Sequence, residues 1–235
     1  MVSDDAEVMD RITAGVRDLD PQPRQRRWVS LTFCILDAVF SIGARYDTVV
    51  VPLVRRVAAD FDVAEPSVPH EVEDGPDPVP LGEFLSRYPN EANLVQATNK
   101  QRTSTRGGIL KAEAVLRYAR ILNDHGVRSL QEARELLTDA VHLGTVEMEL
   151  RQVPGEGTAG VRRGYLWMLV GDEDTVKPNR MVVRWLSAHG VDGTTPEQAR
   201  TLLSKVSKRI SSDLGRRVTA WEVDHAIWLA ARSLG

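Results

Sequence analysis

Apolar residues recur at three- and four-residue spacing along almost the whole chain, while alternating β-branched runs bounded by hairpin turns are nearly missing. The pattern therefore predicts helices. They are expected over 4–19, 28–43, 47–60, 81–87, 90–98, 109–125, 129–137, 139–152, 158–170, 179–189, 196–213 and 218–233. Local signals mark several ends. Asn90 with Glu91 opens one helix, Thr195 places Pro196 at a first helical position, and Gly126, Gly190 and Gly215 each follow a last periodic residue. Between the third and fourth helices, residues 63–80 read VAEPSVPHEVEDGPDPVP, with five prolines. That stretch is expected to be an acidic, proline-rich surface loop without a regular element. No internal repeat of fixed period is present, which disfavours a solenoid. The expected fold class is all-α.

At 235 residues the chain can bury one substantial core or two small helical lobes without disulfides. Cys34 is the single cysteine, which excludes an intramolecular disulfide, a four-cysteine zinc site and a cysteine-ligated iron–sulfur cluster. A reducing, cytoplasmic location fits this cysteine usage. The opening MVSDDAEVMD is acidic rather than apolar, so no signal peptide is expected, and no apolar run reaches membrane-spanning length. The five histidines have no metal-ligand spacing, so no metal site is expected among them. Net charge is −3, and its distribution matters more than its sum. Seven carboxylates and no Lys or Arg lie in 62–83, whereas 151–235 holds 13 basic against 9 acidic residues. A polyanion would meet the second half rather than the acidic loop.

The most informative stretch is 153–160, VPGEGTAG, set between two amphipathic helices. Glycines at 155 and 157 allow a tight turn that exposes backbone N–H groups, and the next helix starts at once with its positive dipole end on the same side. Such a turn can seat a phosphate through main-chain donors, positioning a duplex without reading its sequence. A plain connection between core helices explains the same glycines equally well.

VPGEG resembles the hairpin of the helix-hairpin-helix superfamily of base-excision DNA glycosylases, which reads leucine-proline-glycine-apolar-glycine; a valine and Glu156 are the departures. Other segments resemble the family in order. GILKAE at 108–113 is similar to the start of the helix ahead of the hairpin, and VPLVRR at 51–56 to the helix leaving the DNA-intercalating loop. VKPNRMVVRW at 176–185 is similar to the segment bearing the catalytic aspartate, with Arg184 at its downstream arginine. The resemblance covers roughly 28–234 and implies a two-lobed helical DNA glycosylase fold with a helix-hairpin-helix motif. It also implies a double-stranded DNA partner and a monovalent cation held by hairpin carbonyls, with no other cofactor.

Three departures bear on chemistry. Where lyase-competent members carry the Schiff-base lysine, this chain has Ala159, so a β-lyase of that type is not expected. No four-cysteine cluster like the family's terminal one is expected, since Cys34 is the single cysteine of this sequence. At the place of the catalytic aspartate stands Asn179, or Lys177 in the alternative register. Asparagine offers a dipole but no full charge to a developing sugar cation. Another carboxylate is then needed, and the candidates are Asp172, Glu173 and Asp174 upstream, and Asp37 in the apolar helix LTFCILDAVFSIG, where burial would raise its pKa. Exposure at 172–174 and local hydrogen bonding of Asp37 are the structural alternatives.

The candidate DNA contacts are Gly155, Glu156, Gly157, Thr158 and Arg162 in and after the hairpin, with Arg102 and Arg106 in the polar loop TNKQRTSTRGG. Arg45 and Tyr46 belong to SIGARY at 41–46, the place of the family's wedge loop. Lys205, Lys208, Arg209, Arg216 and Arg217 read as a solvated face, and Trp167, Trp185, Trp221 and Trp228 as core. Three functions fit these residues: hydrolysis of the N-glycosidic bond of a damaged or mispaired base, DNA binding by a catalytically inactive descendant, or a helical protein-interaction module. No membrane and no protein partner is indicated.

Overall fold

A computed structural model of the chain describes residues 2–155, 160–176 and 180–233. Among these are twelve α-helices, a short π-helical turn and two three-residue strands. The chain divides into two compact units, one continuous over Gln25–Gly171 and one made from Met1–Arg24 with Asp172–Gly235. No helix of the described residues is long and apolar enough to cross a membrane.

The elements run α1 (Val2–Asp18), β1 (Arg26–Trp28), α2 (Leu31–Phe40), a π turn (Tyr46–Val50) leading directly into α3 (Val51–Ala59), and β2 (Ser67–Pro69). Then come α4 (Leu81–Arg87), α5 (Glu91–Ala97), α6 (Lys111–Asp124), α7 (Leu130–Leu136), α8 (Ala140–Leu150) and α9 (Val161–Val170). The last three are α10 (Arg180–Ala188), α11 (Pro196–Leu214) and α12 (Ala220–Ser233).

The continuous unit is built around α2. All ten of its residues, LTFCILDAVF, are buried. A helix apolar on every side has no face to give to water and is stable only inside a bundle. Accordingly α3, α4, α6 and α9 pack on it. This helix is shorter than its apolar pattern suggests, because Trp28 joins β1 and Ser30 caps the first turn, its hydroxyl accepting from the Thr32 N–H at 3.1 Å.

The proline-rich loop corrects the expectation in two ways. It contains β2, which pairs antiparallel with β1 in the register Arg26↔Pro69, Arg27↔Val68, Trp28↔Ser67. Three residues are too few to show alternation, and Pro69, at the end of β2, has no N–H to give to so short a ladder. The loop also fastens the unit. Asp77 accepts from the Leu31 N–H at 3.0 Å and the Leu130 N–H at 2.8 Å, capping α2 and α7 with one carboxylate, and from the Val79 N–H at 3.0 Å. Asp74 pairs with Arg27 at 2.7 Å and with Arg134. The Val79 carbonyl accepts from Ser30 and Thr32 hydroxyls at 3.1 and 2.7 Å.

The second unit comprises α1, α10, α11 and α12 around Ile12, Val16, Trp185, Leu203, Val206 and Ile227. Gly15 lets α1 approach closely, since a Cβ there would lie 3.2 Å from the Trp185 ring. Thr195 and Gln198 form a reciprocal capping box at the start of α11.

Two helix N-termini converge on Asp77, so Asp77→Ala is expected to lower stability by roughly 2–3 kcal/mol in chemical denaturation. Glu71→Ala, at an exposed position of the same loop, is expected to stay within about 0.5 kcal/mol. Equal effects would show that the Asp77 caps do not hold the two helices.

Candidate nucleic-acid interface

Three segments singled out in the sequence meet at the start of α6, and a buried lysine joins the first two. Lys111 opens that helix and is 3% exposed. Its ammonium donates to the carbonyls of Phe40 at 2.9 Å and Ile42 at 2.6 Å, at the end of α2, and to Gln101 Oε1 at 3.1 Å. All three protons are therefore matched to acceptors. The carbonyls at a helix C-terminus lack intrahelical donors and carry the negative end of the dipole, so a cation suits them. Burial pushes the Lys111 pKa down to about 8 from an ordinary 10.5, and the three acceptors work in the opposite direction by favouring the ammonium.

The lysine thus ties the corner at 41–46 to the loop at 99–110. That loop is braced internally. Thr103 N–H donates to the Ile109 carbonyl at 2.9 Å, Lys111 N–H to the Gln101 carbonyl at 2.8 Å, and Arg102 to the Gly108 carbonyl at 2.7 Å. Lys100, Arg102 and Arg106 are exposed on it, and Arg45 is exposed on the corner.

The third segment is residues 153–155, which follow α8, with the start of α9. Gly155 has φ +83°, a conformation suited to glycine, and a Cβ there would fall 2.1 Å from the Thr103 Cβ. Backbone strain and close approach both demand glycine, and the contact seats the hairpin against the basic loop. Arg162, in the first turn of α9, is fully buried. It donates to the Val153 carbonyl at 2.8 Å, to the Pro154 carbonyl at 3.3 Å and to the Tyr118 hydroxyl of α6 at 3.0 Å, with its guanidinium 4.8 Å from the Tyr118 ring centre. The carbonyl and N–H of a trans peptide point in opposite directions. With the Pro154 carbonyl held by Arg162, the Gly155 N–H therefore points away from that guanidinium.

Arg162, expected as a phosphate contact, is accordingly an internal brace, and its burial keeps it from a bound backbone. Glu147 of α8 holds the next arginine, Arg163, and accepts from the Trp167 indole. Glu156, Gly157, Thr158, Ala159, Lys177 and Asn179 lie outside the described residues.

Asp37 is fully buried, and its Oδ2 accepts from the Trp28 indole and the Tyr46 hydroxyl, each at 2.9 Å. Burial first, then the Asp37 carboxylate, holds the Tyr46 phenol far above its ordinary pKa. Tyr46 is therefore anchored through its hydroxyl, with its ring half-buried at the corner. Asp174 is exposed, pairs with Arg217 at 3.3 Å and belongs to a turn in which Asp172 accepts from the N–H groups of 174 and 175. In the late basic run, Arg209 pairs with Asp10 at 2.5 Å and Arg216 with Glu222 at 2.7 Å. Trp167 and Trp185 are buried, while Trp221 and Trp228 are half-buried and stack on either side of His225. Among the described residues no cluster of three or more His, Cys, Asp or Glu could hold a metal ion.

The geometry defines a mostly helical protein of two units, in whose continuous unit Gly155, between α8 and α9, lies against Thr103 of the 99–110 loop. The chain belongs to the family described as a domain of unknown function (DUF8548), which matches residues 6–232. No curated protein and no solved structure matches it.

Lys111→Met leaves one buried and two part-buried acceptors without this donor and is expected to destabilise by on the order of 3 kcal/mol. The pH dependence has a definite sign. With a folded pKa near 8 against 10.5 unfolded, the unfolded chain binds more protons across that window, so the wild type gains stability as pH rises through it. Denaturation at about pH 7.5 and pH 9.5 should show the gap between wild type and Lys111→Met widening by on the order of 1–2 kcal/mol. A constant gap would show that the acceptors cancel the effect of burial.

Proposed function

We propose that the chain binds double-stranded DNA by its phosphates, along the rim where the hairpin, the 99–110 loop and the 41–46 corner meet. The observation that carries this reading is the packing of those segments together, bound by Lys111 and by the Gly155–Thr103 contact, with Arg45, Lys100, Arg102 and Arg106 exposed on them. Cations on a rigid frame suit a polyanion of regular spacing. The resemblance to helix-hairpin-helix glycosylases supports the same ligand.

Of the readings open at the outset, binding without base excision is preferred. Stabilising a sugar cation requires an anionic carboxylate that can reach the sugar. Asp37 is sealed beneath Trp28 and Tyr46, and Asp174 is exposed and paired with Arg217. The burial of Asp37 argues against it as the acid for N-glycosidic hydrolysis and supports binding without excision.

Fluorescence anisotropy on a short duplex tests the reading. Four phosphate contacts imply an affinity falling roughly 10²-fold between about 50 and 200 mM salt. Lys100→Ala and Arg106→Ala should each reduce the logarithmic salt slope by about one, with affinity weakened alike on unrelated sequences. Arg209→Ala should change neither, and duplexes carrying uracil or alkylated purines should be bound without release of the base. Salt-independent binding, or a loss confined to Arg209→Ala, would overturn this proposal; release of a base would add hydrolysis to it.

A further inference from the structure

The resemblance implies a monovalent cation held by hairpin carbonyls, and the described residues do not fit one. The carbonyls of Val153 and Pro154 already face a cation, the guanidinium of Arg162, at 2.8 and 3.3 Å. A metal ion at these oxygens would sit against a fixed positive charge within hydrogen-bonding distance of the same atoms, where repulsion opposes its entry. The guanidinium is not a passing occupant. It is fully buried, its Nε donates to the Tyr118 hydroxyl at 3.0 Å, and its face lies on the Tyr118 ring. A planar group with donors in fixed directions can hold two successive carbonyls where a spherical ion would need a cage of oxygens.

We propose that Arg162 is a built-in cation for the Val153 and Pro154 carbonyls, fixing the backbone at 153–155, so that these carbonyls need no bound K⁺ or Na⁺. Arg162 is then a positioning residue that acts through the Gly155 N–H. The role of that N–H toward phosphate rests on the DNA-binding reading above, whereas the ion independence of the two carbonyls does not.

The experiment compares wild type, Arg162→Met and Arg162→Lys in KCl, NaCl and tetramethylammonium chloride at equal ionic strength. It follows duplex affinity by anisotropy and folding by thermal melting. Wild-type affinity should agree within about twofold across the three salts, and its melting temperature should not depend on which cation is present. Arg162→Met should bind about tenfold more weakly in tetramethylammonium and recover part of the loss in K⁺, because the carbonyls are then open to an ion. Arg162→Lys, which keeps a charge but loses the fork, should fall between the two without preferring an ion. A wild type whose affinity drops more than about fivefold, or whose melting temperature falls, when K⁺ and Na⁺ are replaced would overturn the inference. If wild type binds no duplex in any salt, the DNA reading fails, and the melting series still decides whether the Val153 and Pro154 carbonyls need an ion. Should Arg162→Met not fold, the wild-type and Arg162→Lys series decide the question alone.

Discussion

The continuous unit depends on how the C-terminal end of a wholly buried helix is satisfied. α2 is buried along its whole length, and the carbonyl of its last residue, Phe40, is buried as well. An unmatched buried carbonyl costs about 1–3 kcal/mol, and several in one place would undo much of a domain's net stability. Lys111 supplies the donors, and its ammonium also holds Gln101 of the neighbouring loop. The position of the corner at 41–46 and that of the loop at 99–110 are therefore one arrangement. The hairpin joins it where Gly155 lies against Thr103.

Two buried cations consequently organise a surface they do not themselves reach. Lys111 and Arg162 are both turned inward to carbonyls, and the bases left at the surface, Arg45, Lys100, Arg102 and Arg106, stand on the frame so formed. The acidic loop has the complementary role. Asp74 and Asp77 are engaged with arginines and helix N-termini, so part of what reads as negative surface is internal fastening. A net charge of −3 conceals this division.

Much of the fold is legible in the sequence because helical periodicity is a local signal. The caps at Asn90 and Thr195 and the glycine ends at Gly190 and Gly215 also depend only on near neighbours. The connections that shape the site are not local. A lysine opening an amphipathic helix reads as solvated, and its burial becomes visible only when Phe40, 71 positions earlier, is brought beside it. Asp77 caps helices 46 and 53 positions away, which no pattern within a loop can announce. Arg162 misleads for the same reason, since an arginine following a phosphate-seating turn looks like a phosphate contact until its partners are known. Asp37 is the intermediate case. An acid inside LTFCILDAVF signals a buried carboxylate, but only the fold supplies Trp28 and Tyr46 as its donors.

The central claim is that the corner, the basic loop and the hairpin form one DNA-facing surface. Amide hydrogen exchange followed by mass spectrometry, with and without a saturating duplex, tests it most directly. The account predicts slower exchange together in peptides covering 41–46, 99–110 and 151–160, with 62–83 and 205–217 unchanged. Protection confined to 205–217, or slower exchange in the acidic loop without change in the other three segments, would contradict it.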